Sequence, residues 1–440
     1  MYESPEDYTF DNGLKLLCMR KASAPIVAVH IWYRTGSANE HDGVRGISHF
    51  FEHMMFRGSE RVGPEEHAKR INDVGGYANA FTTEDATAYT NSVPREHLSM
   101  VLELEAERMR NLRVTQEVLD TERRVILEEY HTYMNNPVAK AFLEFRREFF
   151  GSHPYAIGPL GELDDIRRIT VDDCHEYYQR WYRPSNATLV VVGDIDSTEA
   201  VKELVATHFG GFDGGPTPEG PVDMSFERAP GRSFAKRVDF DVPVQMIGYP
   251  APASRHSDGV ALDILQQVIS MGETSRLNRS LVRDQGLAVL VGGANLMLKH
   301  AGISLLFAAF TPDMRATRVE QALCAEVERV SSGGVSEAEM AKVRNMTLAM
   351  RTFEMYSGDH LAQRLGFAEV IEGDYRRWVE RLETLRTITA EQVVETARKY
   401  WSSASRWSLS LQPRRRHPLL HLVGLGRRIA NIGRRKAREV

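Results

Sequence analysis

Residues 46–56 constrain this chain more than any other stretch. A helix turning ~100° per residue places Ile47, Phe50, Phe51, Met54 and Met55 on one core-facing stripe. The same turn gathers His49, Glu52 and His53 on the opposite side. Two imidazoles at i and i+4 lie one turn apart, close enough to grip a single metal ion. Glu52, beside the first imidazole on that face, is placed to take a proton from a water at the ion. Histidine pairs at helical spacing more often sit on a surface or in a satisfied core. Here the carboxylate on the same face and the clean apolar stripe opposite favour a metal.

A third ligand is needed, and the pattern of residues 116–133 offers one. With Glu122 at the origin of a helical wheel, Val118, Leu119, Val125, Ile126, Glu129 and Tyr133 fall within ~60° of it. Glu128 points the other way, with Glu117, Asp120, Arg124 and His131. Two carboxylates two turns apart on an apolar face are costly unless they are paired or bind metal. Glu129 is the expected ligand and Glu122 its supporting neighbour. A buried carboxylate satisfied by arginine is the competing account, better suited to Glu122 than to Glu129. His153, in a His-Pro turn, is a ligand by composition alone and reads as packing.

At 440 residues the chain exceeds what one hydrophobic core serves, so two or more folding units are expected. The net charge of −5 gives no general reason to expect a nucleic-acid partner. Three scattered cysteines, Cys18, Cys174 and Cys324, argue against a disulfide framework and for a reducing compartment. The first residues lack an apolar signal region, and no apolar run reaches the ~18 residues of a spanning helix. The expectation is a soluble, cytoplasmic protein.

Strand-like runs at 14–19 and 26–33 precede the metal helix. A strand-rich segment at 77–93, helices at 96–111, 116–133 and 172–182, a buried strand at 189–194 and a helix at 197–209 follow it. Residues 210–222, rich in glycine and proline, read as a linker. Beyond it the order recurs: strand 237–249, helices 259–270 and 275–284, strands 287–298 and 302–310, several helices, and strand 406–411. The counterpart of the metal helix, 259–270, contains no histidine. The expectation is an α+β protein of two homologous halves, each a mixed or antiparallel sheet packed with helices. Residues 1–211 form the metal-binding half, 223–412 an inactive homologue, and 413–440 a basic tail.

On these residues the chain resembles the pitrilysin/insulinase family of zinc metallopeptidases, in its short-subunit branch of bacterial zinc proteases and mitochondrial processing peptidases. The family signature, H-x-x-E-H with a glutamate ligand about 76 residues later, is matched by His49, Glu52, His53 and Glu129. The resemblance implies one Zn²⁺ per chain, Glu52 as general base, Glu122 as a residue supporting activity, and half of a clamshell as the fold. Asn79, Ala80, Phe81 and Thr82 resemble the family's edge strand, which accepts a peptide substrate as an added strand. Arg283 falls in a segment that normally carries an arginine and a tyrosine for substrate carbonyls, but Val289 stands where many members have the tyrosine. A valine donates no hydrogen bond, and losing such a donor typically costs ~10²–10³ in rate. The resemblance therefore implies a partner subunit, a zinc-less homologue or a second copy of this chain.

The implied activity is endopeptidase hydrolysis of extended or unfolded peptides. Two other readings compete with it. One is a non-catalytic scaffold or chaperone-like subunit of a larger complex; the other is a hydrolase using Mn²⁺ or Co²⁺. Residues 413–440 hold nine Arg/Lys against one Glu, which suits contact with an anionic membrane surface or an acidic partner, or else a solvated tail.

Overall fold

The computed structural model describes residues 4–220, 224–226, 230–238 and 241–414. Among them, one sheet is built from β1 (Glu6–Thr9), β2 (Lys15–Arg20), β3 (Ile26–Tyr33), β4 (Tyr77–Thr82), β5 (Thr87–Pro94) and β6 (Ala187–Gly193), in the order β1-β2-β6-β3-β5-β4. A second is built from β7 (Ser233–Val238), β8 (Val244–Ala251), β9 (Leu290–Met297), β10 (Gly302–Ala309) and β11 (Trp407–Pro413), in the order β7-β11-β8-β10-β9. Apart from β1, each strand has a counterpart with the same neighbours. β2 pairs parallel with β6 as β7 does with β11, and the other counterpart pairs are antiparallel. The fold is α+β, and the repeat of element order read from the sequence is a repeat of sheet topology.

β6 and β8 are buried along their whole length; a strand covered on both faces has no solvated side to alternate with, which explains the continuous apolar run Leu189–Val192 of β6. β4, at the edge of the first sheet, is partly exposed throughout.

The chain divides into two compact units, and neither is continuous in sequence. The first comprises 1–132, 152–224 and 349–380; the second comprises 133–151, 225–348 and 381–440. Each sheet thus takes one helix from the opposite half of the sequence. The helix Gly358–Val370 belongs to the first unit, where Leu361, Ala362 and Leu365 join Trp32, Ala28, Val190 and Val192 in one core. The helix Pro137–Phe150 belongs to the second, where Phe149 meets Trp407 and Lys236 pairs with Glu144 at 2.6 Å. The sequential halves 1–211 and 223–412 capture the order of strands, not this exchange of helices, which arises from packing that no linker announces.

Gly366 marks how closely the exchanged helix approaches its sheet. A Cβ there would lie 2.1 Å from Nε1 of Trp32, which is 1% exposed. Gly366→Val is therefore expected to destabilise the chain by at least the ~1–3 kcal/mol typical of an overpacked core, read as a lower urea midpoint. An unchanged midpoint would mean the helix is not docked on Trp32.

Other expectations need adjustment. The single strand at 237–249 is two strands, β7 and β8, broken ahead of Pro243, which has no N–H for a ladder. Strand 287–298 begins only at Leu290, because Leu287 and Ala288 donate their N–H groups back to Leu281. The helix at 275–284 is a π-helical turn over Asn278–Asp284. Pro413 ends β11, and 415–440 of the basic tail lie outside the described residues. Cys18, Cys174 and Cys324 are buried free thiols. Among the described residues, no helix is long and apolar enough to cross a membrane.

Candidate metal centre

The metal helix spans Ile47–Met54, with Ile47, Phe50, Phe51 and Met54 buried as the helical wheel requires. Its first turn would leave N–H groups without partners, and the chain supplies one from upstream. The Glu40 carboxylate accepts from the Gly46 N–H at 2.7 Å and the Ser48 N–H at 2.8 Å. Burial pushes that carboxyl up to about 7, against the opposing pull of those N–H groups. Asp165 holds the preceding loop through the Gly43 and Arg45 N–H groups. Gly46 itself has φ +107, the left-handed region that favours glycine. At the other end, the Tyr89 hydroxyl donates to the Phe51 carbonyl at 2.9 Å. The helix is pinned at both ends, so its histidines point where the backbone sends them.

The helix Gln116–Met134 supplies the carboxylates. Its buried stripe is Leu119, Glu122, Ile126 and Tyr130, whereas Val125 and Tyr133, expected on that stripe, are 38% and 40% exposed. The helix is rotated because Glu122 points inward, where its carboxylate meets Nδ1 of His53 at 3.1 Å and Nε of Arg57 at 2.6 Å. Burial alone would raise the Glu122 carboxyl; the His53 hydrogen bond and the Arg57 charge outweigh it and hold it below its usual range. Glu129 is left on the flank of the stripe, with its side chain 47% exposed.

His49, His53 and Glu129 come together, each offering one ligand atom, all within 4.8 Å of one another. Glu129 Oε2 lies 3.5 Å from Nε2 of His49 and 3.6 Å from Nε2 of His53. Two donors on a tetrahedral zinc at ~2.1 Å are about 3.4 Å apart, and both Glu129–histidine separations lie close to that spacing. The protonation state of His49 fits as well. Burial, and then the neighbouring His53, push His49 down to about 4, so it is neutral near pH 7. Burial opposes charging of His53, but the hydrogen bond to Glu122, with Glu129 and Glu52 nearby, raises its pKa. The same contact with Glu122 fixes the Nδ1–H tautomer and frees Nε2 to bind.

Glu52 sits on the same face, and its Oε2 accepts from the Thr82 hydroxyl at 2.6 Å. Burial raises its carboxyl above the ordinary range, and the Thr82 hydrogen bond works against that rise. Two imidazoles, a carboxylate ligand and an adjacent carboxylate form a hydrolase-type arrangement.

The family Insulinase (Peptidase family M16) matches residues 15–158, which contain the whole donor set, and Peptidase M16 inactive domain matches 168–347. The chain belongs to the M16 peptidase family. This M16 chain is 27% identical over 416 residues to the zinc protease PqqE of Helicobacter pylori, covering 93% of each. It is also 27% identical to an uncharacterized zinc protease of Mycobacterium leprae, covering 88% of this chain and 86% of that one. A crystal structure of a protease from Helicobacter pylori superposes with a TM-score of 0.89 at 26% identity, covering 94% of this chain and all of the other. The fold also matches 48% of the periplasmic protease PqqL from Escherichia coli, at a TM-score of 0.74 and 21% identity.

The remaining candidates in this M16 chain are distributed differently. Asn79, Ala80, Phe81 and Thr82 lie on β4, which pairs with β5 and ends the sheet, with no other strand on its far edge among the described residues. Arg283 lies in the second unit and pairs with Glu273 at 2.8 Å. Val289 precedes β9 and is 38% exposed. His153 has its Nδ1 engaged by the Tyr155 N–H and its Nε2 by the Met224 carbonyl, and it is not in the donor cluster. Three residues escaped the sequence reading: Glu40, Arg57 and the role of Thr82 toward Glu52. An acid upstream of a helix start was the one signal available for Glu40; the other two contacts are long-range and leave no local pattern.

Proposed function

We propose that this chain is a zinc-dependent endopeptidase acting on extended peptide segments. The observation that carries this reading is the meeting of His49, His53 and Glu129 at zinc-ligand spacing with Glu52 on the same face. Zn²⁺ bound there would act as a Lewis acid on a water and on the scissile carbonyl. The residues of the chain do the rest. Glu52 receives the proton of the attacking water on its carboxylate and later returns it to the leaving amine. Glu122 holds His53 in the ligating tautomer. The open edge of β4 offers backbone N–H and C=O groups that pair with an extended peptide, so specificity for side chains is loose.

Arg283 is proposed to bind a substrate carbonyl, and Val289 leaves that part of the site without a donor. A homologous zinc-less subunit would supply the missing donor; a second copy of this chain would bring its own Arg283 instead. The fold spans about half of PqqL, which is compatible with two such chains working as a pair.

The test is cleavage of an internally quenched, unstructured peptide. Chelation is expected to abolish cleavage and one equivalent of zinc to restore it. Cleavage that persists after metal removal would refute the zinc mechanism.

A further inference from the structure

We propose that Thr82 is the positioning residue of the general base: its hydroxyl holds Glu52 in the reactive orientation and ties it to the strand on which the peptide docks. This rests on the peptidase reading above and adds the link between substrate docking and chemistry.

Glu52 reaches the site from the metal helix and Thr82 from the last position of β4, 30 residues apart in sequence, yet Thr82 Oγ1 donates to Glu52 Oε2 at 2.6 Å. A glutamate has three rotatable bonds, and an unanchored one would spread its carboxylate over several rotamers. Thr82 is a stiff anchor: it is β-branched and pairs with Thr87 across the β4–β5 ladder. The turn that follows is itself fixed. The Thr83 hydroxyl donates to the Ala86 carbonyl and accepts from the Asp85 and Ala86 N–H groups. Rigid backbone, one rotamer-limited hydroxyl and one carboxylate oxygen thus make a fixed mount for the base. The effect on chemistry follows from geometry, because displacing a reacting group by about 1 Å can cost ~10²-fold in rate.

β4 is also the edge strand, and among the described residues no strand pairs on its side away from β5. A peptide pairing along Tyr77–Thr82 stiffens the strand that carries the anchor, so docking and base orientation are coupled. The hydroxyl is spent on Glu52 rather than on the peptide, which separates Thr82 from Asn79, Ala80 and Phe81 on the same strand.

The experiment measures kcat, KM and zinc content for the full-length chain and for Thr82→Val, Thr82→Ser and Glu52→Gln, on one extended quenched peptide. Valine keeps the shape and the strand preference of threonine, and Thr82→Ala gives the same comparison should valine disturb β4. Thr82→Val is expected to keep zinc and KM while kcat falls about 10- to 100-fold. Thr82→Ser, which keeps the hydroxyl, is expected within about threefold of the parent kcat. A Thr82→Val kcat equal to the parent's overturns the proposal, and so does a Thr82→Ser loss as large as that of valine, since the methyl would then be what matters. A zinc-loaded parent chain that cleaves nothing even together with a co-purified partner, or a Glu52→Gln variant as fast as the parent, instead refutes the peptidase reading and the proposal with it.

Discussion

Glu52→Gln is expected to bind zinc as the parent chain does and to lose hydrolysis by ~10²–10⁴, the range a positioned general base contributes. Glutamine keeps the length of the side chain and still accepts from Thr82 through its amide oxygen, so the mount described above survives the substitution. What it loses is the capacity to take a proton. The metal ligands His49, His53 and Glu129 are untouched, and zinc content measured beside the rate separates loss of the base from loss of the metal. A variant that holds zinc and cleaves at the parent rate would remove Glu52 from the mechanism. A variant that loses zinc would show instead that the carboxylate helps to hold the metal.

His53→Ala is expected to weaken zinc binding by more than the ~10–100-fold that follows when a group supporting a ligand is lost. His53 has two roles in one ring. Its Nε2 faces Glu129 Oε2 at 3.6 Å, and its Nδ1 faces Glu122 at 3.1 Å. Truncation removes a ligand and also leaves the fully buried Glu122 carboxylate with Arg57 as its remaining charged partner. Glu122→Gln is the calibrating variant, because it removes the charge behind His53 and keeps the ligand; its loss belongs within the ~10–100-fold range. Competition with a chelating indicator measures both, with thermal unfolding as the control for folding. Equal zinc affinity in His53→Ala and the parent chain would dismiss His53 as a ligand.

The metal helix was legible because everything about it is local: histidines one turn apart, a carboxylate on their face and an apolar stripe opposite. Glu129 and Glu122 were reachable one step further, through the face they share on the next long helix. The placement of that face was less accurate. Val125 and Tyr133 look like core on a helical wheel, but the helix turns to bury Glu122 against His53 and Arg57, and a wheel cannot weigh a buried ion pair against apolar area. Glu122 meets both a histidine and an arginine in the structure, so its geometry is compatible with both readings offered for it. Glu40 and Thr82 act on the metal helix from elsewhere in the fold, and a partner's identity across a tertiary contact leaves no periodic mark. The repeat of strands could be read from element order, whereas the exchange of the helices Pro137–Phe150 and Gly358–Val370 between the units could not, because amphipathic helices do not record which sheet they cover.

The ligand set itself is tested most directly by anomalous diffraction at the zinc edge from crystals of the zinc-loaded chain. The account predicts one strong peak about 2.0–2.2 Å from Nε2 of His49, Nε2 of His53 and a carboxylate oxygen of Glu129, with the Glu52 carboxylate beside it but not bound to it. A peak elsewhere, or no peak in a chain shown to carry zinc, would contradict it.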